Sequence, residues 1–262
     1  KAGYNYQDLN DGNFFVNFDT GDVLICDNDN VMGHGYSSGI AGKARYMAPE
    51  VVLGSTPNKQ TDRYSLAVVL FLLLVVNHPL EGKATNPPCM TEELERKIYG
   101  SNPLFIFDPE NGTNSPIPGL HMNAINRWPA LPQYIRNAFE SEFSQNKLHL
   151  VESFTCACNK KHLVGPNETK TCEKCKNEFK VPPKAPRMLE SEWLRLLIRL
   201  RGEIYQHSCG NELLVNPLGS VECEKCKKNV SILAHLKFNK LNSPLFSEAL
   251  LYACHTSEGS ED

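Results

Sequence analysis

The chain has 262 residues, with 27 basic and 30 acidic side chains and a net charge of -3, and it is 41% hydrophobic and 22% charged. These values are typical of a globular protein and exclude collagen-like, coiled-coil and wholly disordered chains. The longest apolar run, Leu66 to Val76, has eleven residues. Because a membrane-spanning helix needs about 20, we expect no membrane segment in this chain.

The first half of the chain predicts a hairpin and a buried helix. Two short β-type runs, Phe14–Val16 and Val23–Ile25, flank the turn sequence DTGD. A glycine-dotted loop is expected over residues 31–46. From Asp62 to Val76 the sequence is apolar on every side, which predicts a helix that is buried all round.

Two more helices are predicted further along the chain. Residues 131–143 have helical spacing, with one apolar face formed by Leu131, Ile135, Phe139 and Phe143. Residues 190–201 form a second amphipathic pattern. A proline-rich stretch over residues 180–186 is typical of a stiff linker, and the acidic end from Thr256 is expected to fray.

Ten cysteines are distributed unevenly, with two in the first 150 residues and eight in the last 112. Seven of the eight, with one histidine, form two groups of the same spacing: a first pair of residues, thirteen intervening residues, and a second pair in the sequence CEKCK. Paired knuckles of this kind supply the four soft or borderline ligands of tetrahedral zinc. The groups are Cys156, Cys158, Cys172 and Cys175, and His207, Cys209, Cys223 and Cys226.

Disulfides or unrelated buried thiols are the alternative for these groups. Disulfides require an oxidising compartment and would leave the histidine at a repeated position unexplained. We therefore expect two Zn²⁺ sites and a cytoplasmic location, with His235 or another residue as fourth ligand of the second site if His207 is not one.

The charge of the two cysteine modules bears on their partner. Residues 156–187 carry eight basic and three acidic side chains, and residues 203–240 carry five and four. A nucleic-acid ribbon is expected to show a stronger basic stripe interleaved with aromatic residues. Nucleic acid is therefore not favoured as a partner.

A set of acidic and amide residues near the start carries a second chemistry. Asp8 and Asn13 lie five residues apart, and Asp27 follows the predicted hairpin. One aspartate can accept the proton of an attacking hydroxyl, while asparagine and the other aspartate hold Mg²⁺ against phosphates. The pattern indicates phosphoryl transfer, although a random Asp-Asn pair is more often a satisfied turn.

The order of these residues resembles the C-terminal lobe of the protein-kinase family. Asp8 and Asn13 resemble the aspartate and asparagine of the catalytic loop, and Asp27 resembles the metal-binding aspartate of the DFG element. The sequence MAPE, ending at Glu50, matches the APE element. More narrowly, ICDNDN, NHPLEGK and YGSNPLFIFDP resemble a bacterial subfamily with DND in place of DFG and cysteine-rich modules towards the C-terminus.

The resemblance implies structural roles for three further residues. Asp62 would accept hydrogen bonds from the backbone of the catalytic loop, although alone it is more typical of a helix N-cap. Arg187 resembles the arginine that pairs with the APE glutamate, so we predict an ion pair between Glu50 and Arg187. The resemblance also implies ATP and Mg²⁺ as cofactors and a protein hydroxyl as substrate.

Several positions depart from the family pattern. Tyr6 and Gln7 replace the His-Arg before the catalytic aspartate, so dependence on loop phosphorylation is not expected. Asn10 stands where the family often has a lysine that steadies the transferring phosphate. Lys43 stands in place of a threonine, and we hypothesise that it supplies the missing charge. Asn28 replaces the DFG phenylalanine.

The parts that cover ATP in the family are not found before Asp8. No glycine-rich phosphate loop, strand lysine or helix glutamate lies in the first seven residues, and the first residue is Lys1 rather than methionine. We interpret the chain as part of a longer protein. The chain alone is expected to be inactive, whereas the parent protein is expected to transfer phosphate.

We predict a mainly α fold, a protein-kinase-like C-terminal lobe with two small β-rich zinc-ribbon-like modules. The expected divisions are a lobe over 1–150, an inserted knuckle module over 151–183, a closing helix over 184–202, a second knuckle module over 203–240 and a tail over 241–262. The predicted function is that of an ATP-dependent serine/threonine-type protein kinase. Two alternatives are a pseudokinase scaffold that binds partners through its zinc modules and a zinc-ribbon nucleic-acid binder.

Overall fold

The structure is a computed structural model that describes residues 3–33, 36, 42–86, 89–148, 152–165, 169–180, 185–214, 220–243 and 246–256. Side chains are described in these ranges except at residues 152–153, 220–221, 230–243 and 246–256. The chain divides into two compact units, of which the first comprises Lys1–Trp128 and Asn137–Met188 and the second Pro129–Arg136 and Leu189–Asp262. Residues 181–184 of the predicted linker and the end beyond Thr256 lie outside the described residues.

The first unit begins with short strands joined by tight turns. The strands are β1 (Tyr4–Asn5), β2 (Phe14–Val16), β3 (Val23–Ile25) and β4 (Met32–Gly33). They form two antiparallel pairs, β1 with β4 and β2 with β3. The β2–β3 hairpin is the predicted one. The β1–β4 pair was not anticipated, because two-residue strands leave no alternation to detect.

A long helix forms the centre of the first unit. Helix α1 (Pro49–Val52) precedes α2 (Lys59–Val75). Asn58 begins α2 in a capping box, in which its side chain accepts from the backbone of Gln60 and its own N–H donates to the Thr61 hydroxyl. Val76 ends the helix in a left-handed conformation.

The prediction that this helix is buried on every side is wrong along one stripe. Tyr64, Val68 and Phe71 are buried, but Leu66 and Leu70 are partly exposed and Leu73 is 68% exposed. Residues 66, 70 and 73 follow the helical period, so they lie on one face. Composition alone does not reveal which face of an all-apolar helix is left uncovered.

An aromatic cluster fills the core of the first unit. Phe71 of α2 is fully buried, and its ring centroid lies 5.1 Å from that of Phe139 and 5.7 Å from that of Phe105. The rings of Trp128 and Phe143 lie 5.9 and 6.0 Å from it. Edge-to-face contacts of this kind add to the burial of the rings. The helix therefore holds together segments that are far apart in sequence.

Four helices follow in the chain, α3 (Glu92–Arg96), α4 (Met122–Ala130), α5 (Gln133–Glu142) and α6 (Gln145–Leu148). The predicted helix over 131–143 corresponds to α5. The four residues of the predicted apolar face are all buried: Ile135 and Phe139 lie within α5, and Leu131 and Phe143 flank it.

Two small hairpins complete the described part of the first unit. Strand β5 (Glu152–Thr155) pairs with β6 (Lys161–Val164), and β7 (Thr169–Thr171) pairs with β8 (Glu178–Lys180), both antiparallel. The Phe154 and Phe179 rings stack across the hairpins with centroids 5.2 Å apart.

The second unit contains helix α7 (Glu190–Gly202) and strands β9 (Ile204–Gln206), β10 (Glu212–Leu214), β11 (Ser220–Glu222), β12 (Asn229–Ser243) and β13 (Phe246–Thr256). Strands β9 and β10 form one antiparallel hairpin, and β11, β12 and β13 form an antiparallel sheet in that order. On α7, Trp193 and Leu200 are buried.

The described residues thus combine a helical first half with small antiparallel sheets that carry the cysteine groups. Among these residues, no helix has both the length and the apolarity to cross a membrane.

Candidate functional sites

The carboxylate of Asp8 is held by two amides of its own loop. The Asn10 side chain donates to Oδ1 of Asp8 at 3.0 Å, and the Asn13 side chain donates to Oδ2 at 3.2 Å. Both amides also donate to the backbone carbonyl of Asp8, at 3.1 and 2.9 Å. Asn10 is buried. The two amides therefore orient the carboxylate by hydrogen bonds from neutral donors.

Asp62 anchors this loop to helix α2. Its carboxylate accepts hydrogen bonds from the backbone N–H groups of Tyr6, at 2.6 Å, and Gln7, at 3.1 Å. This is the contact that the family resemblance implies. Gln7 has a left-handed backbone, with φ of 68°, which is unfavourable for a side chain of its size. The two charge-assisted hydrogen bonds help to hold it there.

Asp27 lies at the end of strand β3, close to the loop of Asp8. The backbone N–H of Cys26 donates to the carbonyl of Asn13 at 2.9 Å, and the Tyr6 hydroxyl donates to the carbonyl of Asp27 at 3.0 Å. Burial raises the pKa of Tyr6, and the negative charges of Asp27 and Asp8 raise it further. The structure therefore brings Asp8, Asn13 and Asp27 around the Tyr6 side chain. The sequence indicated Tyr6 only as a difference from the family pattern.

The donor set at this site suits a hard cation. Within the described residues, the Asp27 carboxylate accepts no hydrogen bond, and the Asn13 amide nitrogen is directed to Asp8. The carboxylate oxygens of Asp27 and the amide oxygen of Asn13 are ligands that Mg²⁺ prefers.

The segment before α1, residues 42–48, packs closely against the Asp8 loop at Gly42. A Cβ atom at Gly42 would lie 3.2 Å from Asp8 Oδ1 and 3.3 Å from the Gln7 carbonyl. A larger residue would therefore press on the carboxylate. The glycines of this segment indicated a loop, but they did not indicate which of them touches Asp8.

A polar cavity of about 600 Å³ opens beside this segment. Its walls include Asp11, Lys43, Tyr46 and Glu95. Burial and a hydrogen bond to Asp11 raise the pKa of Tyr46 to about 12. The cavity is large enough to admit a side chain next to Gly42 and Lys43.

The predicted ion pair between Glu50 and Arg187 is present. Two parallel hydrogen bonds of 2.7 and 2.9 Å join the guanidinium to the carboxylate, and both residues are buried. Arg187 also donates to the Gln60 carbonyl at 2.9 Å and lies over the Tyr64 ring at 5.0 Å. Burial raises the pKa of the Tyr64 hydroxyl. The pair connects α1, α2 and residue 187.

Two charged networks in the first unit were not predicted. Buried Glu142 pairs with Lys147 at 3.2 Å. Arg45 pairs with Glu81 through two hydrogen bonds of 2.5 and 3.0 Å, and the Tyr99 hydroxyl donates to the same carboxylate at 2.7 Å. No motif marks these residues, because their partners lie up to 36 positions away.

His78 supports the second of these networks in its neutral form. Burial lowers the pKa of His78 to about 4. The Nε2 atom lies 2.7 Å from the Arg45 carbonyl, and Nδ1 accepts from the Leu80 N–H at 3.1 Å. Both contacts are satisfied when Nε2 carries the proton.

The first cysteine group is formed by the turns of the β5–β6 and β7–β8 hairpins. The Sγ atoms of Cys156 and Cys158 are 2.9 Å apart, and each lies 3.6 Å from that of Cys172. With Cys175, all four sulfur atoms lie within 4.8 Å of one another. Hydrogen bonding from the backbone N–H of Cys175 lowers the pKa of Cys172 to about 5. The spacing of the four sulfur atoms is what would allow this group to bind zinc.

The second cysteine group includes His207. Its Nδ1 atom lies 3.1 Å from Cys209 Sγ and 3.6 Å from Cys226 Sγ, and Cys223 completes the cluster. The His235 side chain lies outside the described residues. Backbone hydrogen bonding from Cys226 lowers the pKa of Cys223 to about 7. This group too could bind zinc, with Nδ1 as the nitrogen ligand.

The two groups contain the same type of backbone turn. Lys176 and Lys227, which follow the CEKC sequences, have left-handed φ values of 59° and 61°. Their N–H groups donate to the carbonyls of Cys172 and Cys223 at 2.8 and 2.7 Å. The repeated spacing in the sequence therefore corresponds to a repeated knuckle.

No protein-family model matches the chain. Its functional interpretation therefore depends on the residues and contacts described above.

Proposed function

We propose that the protein containing this chain is an ATP-dependent protein kinase of serine/threonine type, with Asp8 as its catalytic base. The observation that carries the proposal is the paired support of the Asp8 carboxylate by Asn10 and Asn13. The two neutral amides orient the Asp8 carboxylate without supplying a positive charge. An oriented carboxylate can act as the general base that accepts the hydroxyl proton.

The proposed reaction transfers the terminal phosphoryl group of ATP to a serine or threonine hydroxyl. A bond forms between the hydroxyl oxygen and the γ-phosphorus, and the bond from that phosphorus to the bridging oxygen breaks. The hydroxyl proton passes to Asp8, and ADP leaves with the electron pair of the broken bond. Asn13 and Asp27 would hold Mg²⁺, which would neutralise phosphate charge when bound.

The exposed apolar face of the β2–β3 hairpin is consistent with a second lobe that covers the nucleotide. Phe15, Val23 and Leu24 are 64%, 57% and 64% exposed, and Phe18 in the turn is 96% exposed. Such a concentration of apolar surface is typical of an interface. We propose that a nucleotide-covering lobe packs on this hairpin.

The experiment is phosphoryl transfer from labelled ATP by the full-length protein. Asp8→Asn should lower kcat by about a hundredfold or more, because a positioned general base contributes on that order. Glu110→Gln, at an exposed position outside the hairpin and the Asp8 loop, is the matched control and should leave activity unchanged. Undiminished transfer by Asp8→Asn would reject the proposed base.

A pseudokinase scaffold is the second candidate. The observation that favours it is the absence of a basic residue at positions 7 and 10, which are Gln7 and Asn10. Binding of Mg²⁺-ATP without turnover by the full-length protein would support the scaffold over the kinase. In both cases, we propose that the two cysteine groups hold structural zinc, since each supplies four protein ligands and leaves no open position.

A further inference from the structure

The ammonium group of Lys43 lies over the loop that holds Asp8. Its Nζ atom is 3.4 Å from Oδ1 of Asn10, the residue whose amide nitrogen donates to Asp8. A Cβ atom at Gly12 would be 3.7 Å from the same Nζ. Lys43 follows Gly42, which packs directly against the Asp8 carboxylate. Thirty-three positions separate Lys43 from Asn10, so only the fold brings the two together.

The charge of Lys43 is not used by a neighbouring carboxylate. Among the described side chains, no ion pair includes Lys43, whereas Arg45 two residues on is paired with Glu81. Lys43 is exposed and lines the polar cavity together with Gly42, the residue that packs against Asp8. A cation in this position is available to an incoming anion.

The Asp8 loop itself is acidic and has no positive charge. Its sequence from residue 8 to 13 is DLNDGN, with two aspartates and no lysine or arginine. Both oxygens of Asp8 face neutral amides rather than cations. A transferring phosphoryl group adds negative charge next to these carboxylates, and its stabilisation requires positive groups placed in advance.

We propose that Lys43 is the protein's own cation at the transfer site and contacts the oxygens of the transferring phosphoryl group beside Asp8. This inference rests on the proposed function and names a further catalytic residue for it. Lys43 keeps its proton throughout. No bond to its nitrogen forms or breaks, and the hydroxyl proton still passes to Asp8 as the terminal phosphoryl group moves from ATP to the hydroxyl oxygen and ADP leaves.

The test compares Lys43→Met and Lys43→Arg in the full-length protein, with the exposed Lys83→Met as matched control. Lys43→Met should lower kcat by about a hundredfold, a typical loss for one oriented electrostatic contact. The KM for the protein substrate should stay within about twofold, because the contact is made to the transferring group. Lys43→Arg keeps the charge and should lose less than about tenfold.

Equilibrium binding supplies a readout that does not depend on turnover. Lys43→Met should weaken the binding of Mg²⁺-adenylyl imidodiphosphate about tenfold, the value of one charge-assisted hydrogen bond. Binding of Mg²⁺-ADP, which lacks the third phosphate, should be unchanged. Calorimetric titration measures both, and thermal denaturation checks that the variants are folded.

Unchanged kcat and unchanged analogue binding in Lys43→Met would overturn the proposal. Equal losses in Lys43→Met and Lys43→Arg, with a lowered Tm in both, would also overturn it, because they indicate a structural role. Asp8→Asn in the same series separates the two claims. If Asp8→Asn is fully active, the proposed function is rejected. If Asp8→Asn is inactive and Lys43→Met is fully active, only the proposed role of Lys43 is rejected.

Discussion

The guanidinium of Arg187 binds the carboxylate of Glu50 through two parallel hydrogen bonds, although 137 positions separate the two residues in sequence. Both side chains are at most 5% exposed, so the pair is shielded from water and from salt. A buried pair of this kind is weak evidence for a net gain in stability, but the loss of either partner leaves an uncompensated charge.

Arg187→Met should therefore be strongly destabilising. We expect the free energy of unfolding to fall by about 3–5 kcal/mol, because Glu50 would remain buried without its partner. Urea denaturation of the purified protein measures this change. The double variant Glu50→Gln/Arg187→Met should recover part of the loss, and Arg96→Met, at an exposed position, should stay within about 0.5 kcal/mol of wild type. An Arg187→Met protein as stable as wild type would contradict the role of the pair.

His78 should make the protein less stable in weak acid. Its pKa is lowered by burial to about 4 in the fold, against 6.5 for the ordinary side chain, so the unfolded chain binds the proton first. The stabilisation is fully present above pH 6.5 and is lost as the pH falls from 6.5 to 4, by about 3 kcal/mol in total. Below pH 4 both states are protonated, and this residue causes no further loss.

The variant His78→Gln isolates this effect. Glutamine does not titrate, so urea midpoints measured between pH 4 and 7 should change less steeply than those of wild type. Parallel pH profiles for the two proteins would show that other groups cause the acid sensitivity.

The first cysteine group should account for one of two bound zinc ions. Cys172→Ser should remove one equivalent of zinc, measured by elemental analysis of the purified protein, because three ligands and a hydroxyl do not hold the ion as tightly. Cys89→Ser is the control, since Cys89 is exposed and lies outside both groups. Retention of both equivalents by Cys172→Ser would reject this site.

His207 should be the nitrogen ligand of the second site. His207→Ala should lose the second zinc equivalent, whereas His207→Cys should keep it, because a fourth thiolate replaces the imidazole. His235→Ala tests the alternative ligand and should leave the zinc content unchanged. Replacement of zinc by Co²⁺ gives an absorption spectrum that distinguishes three thiolates from four. Loss of zinc in His235→Ala but not in His207→Ala would reverse the assignment.

Local patterns were sufficient for several elements and for the cysteine groups. The turn sequence DTGD lies between strands Phe14–Val16 and Val23–Ile25, and the spacing of residues 131–143 identified the buried face of α5. The paired knuckles also follow from spacing, because the ligands of one zinc ion come from two tight turns that are close in sequence. These features depend on interactions within about 20 residues.

The amino-acid sequence by itself determined the positions of Asp8, Asn13 and Asp27, the two four-residue cysteine groups and the apolar character of helix α2. Only the tertiary structure decided that Leu73 is exposed, that Asn10 and Gly42 contact Asp8, and that the ammonium group of Lys43 approaches Asn10. The physical reason is that periodicity and spacing report local geometry, whereas the burial of a charge or the approach of an ammonium group depends on which distant segments the core packs together.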